Sequence, residues 1–173
     1  MNYSIEELNS DNIQEYAQVN ILAWKQTYKG IISDEFIESF TSENGKQKII
    51  NNLQIELSEN DKKSFLLKVD NKYAGILKIR KSMFEDFFDY GELGAIYLLN
   101  SVKGKGYGKI LFDKAINELK NMGYKKMING CFKGNPANKF YKHMGGKLLK
   151  SVDVTLPNGE IIKENVYVYN IEL

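Results

Sequence analysis

One cysteine, one histidine and one arginine occur in the 173 residues of this chain. A lone Cys131 excludes an intrachain disulfide and any zinc cluster built on thiolates. With His143 the only histidine, no metal centre is expected. Arg80 is the only arginine, so an anion site must use lysines or backbone N–H groups rather than guanidinium forks. Charge of one sign is not in excess either. Lysine and arginine number 24 against 22 aspartates and glutamates, a net charge of +2, which is not the basic coat that nucleic acid selects. No apolar run approaches the roughly 18 residues of a membrane span. Met1 to Glu7 shows no basic segment followed by an apolar one, so no signal peptide is expected. These absences predict a cytoplasmic protein with no nucleic-acid, membrane or metal partner.

What is present reads as a globular domain. Hydrophobic residues make up 43 % and charged residues 27 %, which argues against disorder. The length fits one domain over 1–173, and no repeat, linker or low-complexity segment interrupts it.

Tyr3, Ile5 and Leu8 suggest a first strand. Ser10-Asp11-Asn12 offers an N-cap to a helix carrying Ile13, Tyr16, Ala17, Ile21, Trp24 and Tyr28. Further helices are expected from Ser33 and over about residues 43 to 58. Phe65–Val69 and Tyr73–Ile79 flank the turn residues Asp70-Asn71-Lys72, which predicts a hairpin. Leu93–Leu99 is a strand. A long helix is expected from about Lys105 to Met122, stopped by Gly123. Met127–Phe132 is a strand, Asn135-Pro136 opens a short helix, and two strands close the chain. This is an α+β pattern: a mixed, mostly antiparallel sheet of about seven strands with about four to five helices.

Two segments carry chemistry. In Leu98 to Lys109 an apolar strand runs into Gly104-Lys105-Gly106-Tyr107-Gly108 and then a helix. Glycines let backbone N–H groups approach an anion, and a helix N-terminus adds free donors and partial positive charge. Lys103, Lys105 and Lys109 add point charges. The spacing is neither that of a P-loop nor the Gly-x-Gly-x-x-Gly of a dinucleotide fold. In Asn135 to Gly146, Ala137, Phe140, Tyr141 and Met144 share one helix face. A phenol there can give a proton to a leaving group, although a tyrosine on such a stripe is more often core.

Here the sequence resembles a known family. Lys103 to Gly108 is similar to the Arg/Gln-x-x-Gly-x-Gly/Ala pyrophosphate loop of the GNAT N-acetyltransferase superfamily, with lysine where arginine or glutamine is usual. Asn135 to Gly146 resembles the family's Asn-Pro-Ala-x-x-Phe-Tyr-x-x-x-Gly-Gly segment, and Gly91 to Leu98 the strand before its loop. Trp24 to Gly30 is similar to the first helix and its turn.

The resemblance implies an acetyl-CoA-dependent enzyme that acetylates a primary amine of a small molecule by direct attack. It implies that the strand before the loop splays from its neighbour and that the pantetheine arm lies in the gap. Ile96, Tyr97 and Leu98 would line that arm, and the Leu98 N–H would polarise the thioester carbonyl. The N–H groups of Gly104 to Lys109 would hold the pyrophosphate, with Lys103 beside them. Asn135 and Asn138 would touch the cofactor or serve only the structure. Tyr141 would protonate the departing thiolate. Glu92 would take the acceptor's proton through a water or stand as a solvated carboxylate. Trp24 and Tyr28 on one side, and Phe84 and Glu85 on the other, would bind the acceptor. Cys131 reads as a small buried thiol and His143 as an exposed side chain without a role. A homodimer through the terminal strands would use the apolar run Val166-Tyr167-Val168-Tyr169. Alternatives are acetylation of a protein N-terminus or lysine, a module that holds CoA without turnover, and an unrelated nucleotide-phosphate binder.

Overall fold

Residues 2–172 are described by a computed structural model. Its elements are β1 (Tyr3–Glu7), α1 (Ile13–Tyr28), α2 (Asp34–Thr41), α3 (Glu43–Glu56), β2 (Lys62–Val69), β3 (Lys72–Lys81) and β4 (Gly91–Leu98). There follow α4 (Tyr107–Asn121), β5 (Lys126–Phe132), α5 (Ala137–His143), β6 (Lys147–Thr155) and β7 (Ile161–Asn170). The described residues form one 7-stranded sheet in the order β1-β2-β3-β4-β5-β7-β6. Only β4 and β5 pair in parallel.

Local chemistry explains the boundaries. The β2–β3 hairpin turns on Asp70 and Asn71, at φ 46° and 69°, a region these two residue types tolerate. Helix α4 starts at Tyr107 and not at Lys105, because Gly104 and Gly106 hold φ of 73° and 88° ahead of it. Asn12 precedes α1 without capping it. Its amide instead accepts the Asn9 N–H and donates to the Glu7 carbonyl, closing the β1–α1 turn.

Helices α1 and α3 pack on one face of the sheet through Tyr16, Val19, Leu53, Leu66 and Ile76. On the other face α4 sets Leu111, Phe112, Ala115 and Leu119 against Phe65, Leu77, Ile79 and Met127. Both layers bury an apolar stripe that neither could hide alone.

One register change creates the site. Lys78 pairs with Ala95 and Ile79 with Leu93, so Gly94 is an extra residue on β4. Such a bulge bends its strand and breaks its pairing. β4 meets β5 only at Gly91↔Met127 and Glu92↔Ile128. Beyond the bulge the two strands part.

The expected dimer segment is corrected. β7 lies between β5 and β6, and Val166 and Tyr167 are fully buried. Their apolar character serves the protein's own core. The open edge at that end is β6, where Leu148 and Leu149 are exposed.

Candidate active site

The gap between β4 and β5 is a cleft of about 800 Å³, the size class of small-ligand sites. Ile96, Tyr97 and Leu98 form one wall, and Gly130 and Cys131 another. The loop with Lys103, Gly104, Gly106 and Gly108 closes one end. Asn135, Phe140 and Tyr141 come from α5 and the turn before it, and Gln26, Thr27 and Tyr28 from the end of α1.

Strand alternation aims the Leu98 N–H into this gap. The Leu99 N–H donates to the Ala74 carbonyl on β3 at 2.8 Å. Successive N–H groups point to opposite sides of a strand, so that of Leu98 turns towards β5, which no longer pairs there. The same parity turns out the Ile96 N–H.

The glycine loop fits an anion. Among the described residues, the backbone N–H groups of Lys103, Gly104, Gly106 and Gly108 make no hydrogen bond to a backbone carbonyl. A Cβ at Gly104 or Gly106 would meet nothing within 4 Å. The three lysines differ. Lys105 Nζ donates to the Ser101 carbonyl at 2.8 Å, and Lys109 Nζ pairs with Asp113 at 2.6 Å. Lys103 lines the cleft, and burial holds its ammonium below the ordinary lysine range, an effect that a bound anion would oppose.

Tyr141 is buried at the inner end of the cleft. Burial first, then Cys131, Tyr97 and Tyr169, pushes its phenol well above the ordinary value. It therefore stays protonated and can donate. The Tyr28 and Tyr97 hydroxyls are hydrogen-bonded at 2.7 Å across the cleft. Burial pushes Tyr97 up to about 12, against the lowering effect of its bond to Tyr28. The Cys131 thiol is also pushed up to about 12, by burial and then by Glu164. A thiol so far from ionisation is not a nucleophile, in agreement with its reading as a buried small residue.

Several expected contacts are not brought together. Asn138 lies outside the cleft lining, and its amide is consumed by the protein. Its nitrogen donates to the carbonyls of Phe132 and Asn135 at 2.9 and 2.8 Å. Its oxygen accepts from Asn165 and the Tyr167 hydroxyl at 3.0 and 2.7 Å. With every donor and acceptor used, it is a brace between α5 and β7 and has none left for a cofactor. Asn138→Ala should destabilise the fold by about 2–3 kcal/mol in urea denaturation while the Kd for acetyl-CoA changes less than about threefold. A large loss of affinity at unchanged stability would restore the cofactor contact. Asn135 does line the cleft, and its Oδ1 accepts the Ala137 N–H at 2.9 Å.

Glu92 is neither solvated nor free. Its Oε1 binds Arg80 Nη2 at 2.6 Å and its Oε2 accepts the Met83 N–H at 2.8 Å. A buried carboxylate held by a cation and an amide is a positioning group. Phe84 and Glu85 do not line the cleft. Their loop leans towards the far end of β5 and β6, where Lys126 lies over Tyr90 and Lys150 over Phe87. Trp24 stands behind the cleft, stacked on Phe40 and packed against Tyr28, and so supports the Tyr28 ring from outside.

One residue of this region was missed from the sequence. Glu164 of β7 is not itself part of the cleft lining, but its carboxylate lies against Gly130, which is, and among the described residues it has no hydrogen-bond or ion-pair partner. Burial pushes it up to about 7, Glu92 adds to the rise and Arg80 opposes it. The signal was available: Ile162, Glu164 and Val166 alternate onto one face of β7. The pH consequence follows. The folded state binds the Glu164 proton more tightly than the unfolded chain, whose value is 4.5. Stability from this group is full below 4.5 and is lost as pH rises through about 7. The Tm of Glu164→Gln should therefore fall less than that of the wild type between about pH 5 and about pH 8 in calorimetric scans.

Comparison with known proteins agrees with this architecture. The model of the Acetyltransferase (GNAT) family matches residues 24–145. The chain belongs to this family. It is an N-acetyltransferase by that membership. It is 26 % identical over 144 residues to the uncharacterised N-acetyltransferase YuaI of Bacillus subtilis, covering 80 % of this chain and 77 % of that protein. It is 27 % identical over 124 residues to a spermidine N(1)-acetyltransferase of Thermoplasma acidophilum, covering 71 % and 74 %. The crystal structure of the PaiA N-acetyltransferase of Thermoplasma acidophilum in complex with coenzyme A superposes with a TM-score of 0.70 at 23 % identity, over 95 % of this chain and 98 % of that one. The acetyl-CoA complex of YncA, a putative acetyltransferase from Salmonella typhimurium, gives 0.74 at 14 %, over 100 % and 96 %. This GNAT fold thus embraces the whole described acetyltransferase chain. No helix among its described residues is long and apolar enough to cross a membrane.

Proposed function

We propose that this N-acetyltransferase moves the acetyl group of acetyl-CoA to a primary amine of a small molecule by direct attack in a ternary complex. The observation that carries the reading is the cleft itself. One gap in the sheet holds a free backbone donor at Leu98, a protonated phenol at Tyr141 and, at one end, a glycine loop that offers the N–H groups of Lys103, Gly104, Gly106 and Gly108.

When bound there, acetyl-CoA supplies the activated acyl group. The chain's own groups divide the remaining work. The N–H groups of the glycine loop and Lys103 hold the pyrophosphate. The backbone of Ile96 and Leu98 pairs with the pantetheine amides, and Tyr97 walls it. The Leu98 N–H polarises the thioester carbonyl as charge develops on its oxygen. Tyr141 gives its proton to the leaving thiolate. Asn135 fixes the start of α5 and thereby the place of Tyr141.

Two features support a small acceptor. Tyr28 and Tyr97 line the cleft with their ring centroids 6.1 Å apart, and Phe132 packs against Tyr28 at 5.7 Å, which gives the acceptor side an aromatic wall. The spermidine N(1)-acetyltransferase relative acts, by its name, on a polyamine. Cytoplasmic residence and a homodimer through the open β6 edge belong to the same reading, and light scattering tests the latter. Calorimetric titration of acetyl-CoA, followed by thiol release against polyamines, amino sugars and amino acids, tests the central claim. Tight binding with release for one amine class is the expected result. Absence of binding would overturn it.

A further inference from the structure

The geometry points to Glu164 as the base that takes the acceptor's proton, through one water, on the β7 side of the cleft. This rests on the N-acetyl-transfer reading above.

Glu164 stands opposite Phe132 in the β5–β7 ladder, diagonal to Gly130. Gly130 lines the cleft, and a Cβ there would collide with both oxygens of the Glu164 carboxylate, Oε2 at 2.9 Å. The absence of a side chain at 130 thus lets a carboxylate from β7 pass across β5 to the edge of the gap. Strand parity puts Glu164, Gly130 and Phe132 on one face of the sheet, the face that carries Tyr28 of α1.

The charges facing Glu164 come from three strands. Arg80 of β3 and Glu92 of β4 act on it directly, and Tyr97 of β4 and Cys131 of β5 feel its charge. Arg80 is already claimed by Glu92 at 2.6 Å, and its Nε has no hydrogen-bond partner among the described residues. That Nε lies 3.7 Å from where a Cβ on Gly94 would stand, beside the bulge that opens the gap. Two carboxylates against one guanidinium leave this floor with a net charge of −1 when all are ionised, which draws a cationic amine. Glu92 uses both oxygens on protein donors, whereas Glu164 keeps its lone pairs available.

The chemistry is matched. An alkylamine of pKa about 10.4 arrives as an ammonium and must lose a proton before it can attack. A carboxylate that burial has pushed up to about 7 is half ionised near neutral pH and is basic enough to share that proton. The ammonium proton passes to Glu164. The amine lone pair forms the C–N bond to the thioester carbon, and the C–S bond breaks. The sulfur takes the Tyr141 proton. The remaining extra N–H proton leaves to solvent and in exchange restores Tyr141. One proton is released in net when Glu164 is recycled.

The test is the pH profile of kcat/KM, read as CoA thiol release, for wild type, Glu164→Gln and Glu164→Asp. Spermidine, glucosamine, lysine and a peptide with a free N-terminus serve as acceptors. The wild type should show a rising limb with an apparent pKa near 7, and Glu164→Gln should fall about 10²-fold at neutral pH and lose that limb. Glu164→Asp should recover part of the rate. The Kd for acetyl-CoA should be the same in all three. A Glu164→Gln enzyme within about threefold of the wild type, with the limb intact, overturns the assignment. If the wild type acetylates none of the acceptors, the transfer reading fails separately. The slow hydrolysis of acetyl-CoA, with water as acceptor, then decides the base. A fall of about tenfold or more in Glu164→Gln upholds it, and an unchanged rate overturns it.

Discussion

Tyr141→Phe should lower kcat by about 10²-fold while leaving the Kd for acetyl-CoA within about twofold of the wild type. The substitution removes one hydroxyl and keeps the ring. That ring packs at centroid distances of 5.4 Å from Phe140 and 6.1 Å from Tyr167, and those contacts survive. Among the described residues no hydrogen bond uses the hydroxyl, since the bond from the Tyr169 hydroxyl ends on the Tyr141 carbonyl. Stability should therefore change little. What is lost is a proton available where the C–S bond breaks. Without it a thiolate must leave unprotonated in an apolar setting, which disfavours charge. Steady-state thiol release with spermidine, together with calorimetry of acetyl-CoA, reads both quantities. Unchanged kcat would remove Tyr141 from the reaction. A parallel loss of affinity would make it a binding residue.

Gly106→Val should raise the Kd for acetyl-CoA by about tenfold or more. Gly106 sits at φ 88° immediately before α4, and a β-branched residue in that region is strained by about 1–2 kcal/mol or more. Space is not the obstacle, since a Cβ there meets nothing within 4 Å. The strain is relieved by rotating the loop, and rotation turns its N–H groups away from a common centre. Gly106→Ala should show the same effect more weakly. Calorimetric titration distinguishes this from a loss of fold if the Tm is followed in the same samples. Full affinity in the valine variant would show that the loop N–H groups do not hold the pyrophosphate.

The elements were legible because each depends on neighbours in sequence. Hydrophobic periodicity marked α1, α3 and α4, and turn chemistry marked the β2–β3 hairpin at Asp70-Asn71. The glycine loop was legible for the same reason: strand, glycines and helix are contiguous. The side chains that failed were those whose partners are remote. Asn138 looked like a cofactor contact until Asn165 and Tyr167, 27 and 29 positions away, were seen to occupy its oxygen. Glu92 read as a water-linked base or a solvated carboxylate until Arg80 and the Met83 N–H, 12 and 9 positions away, closed on it. Phe84 and Glu85 were placed at the acceptor by chain proximity to β4, but their loop faces Lys126 and Lys150.

The sequence by itself determined the layered α+β class, the glycine loop between β4 and α4 and the place of Tyr141 on the inner face of its helix. Those properties follow from local backbone geometry and from the spacing of apolar residues. Only the tertiary structure decided the strand order that buries Val166 and Tyr167, and the bulge at Gly94 that opens the sheet. It alone brought Glu164 past Gly130 to the edge of the gap. Strand pairing joins residues far apart in the chain. Whether a carboxylate is paired, free or facing a cleft depends on what that pairing sets beside it.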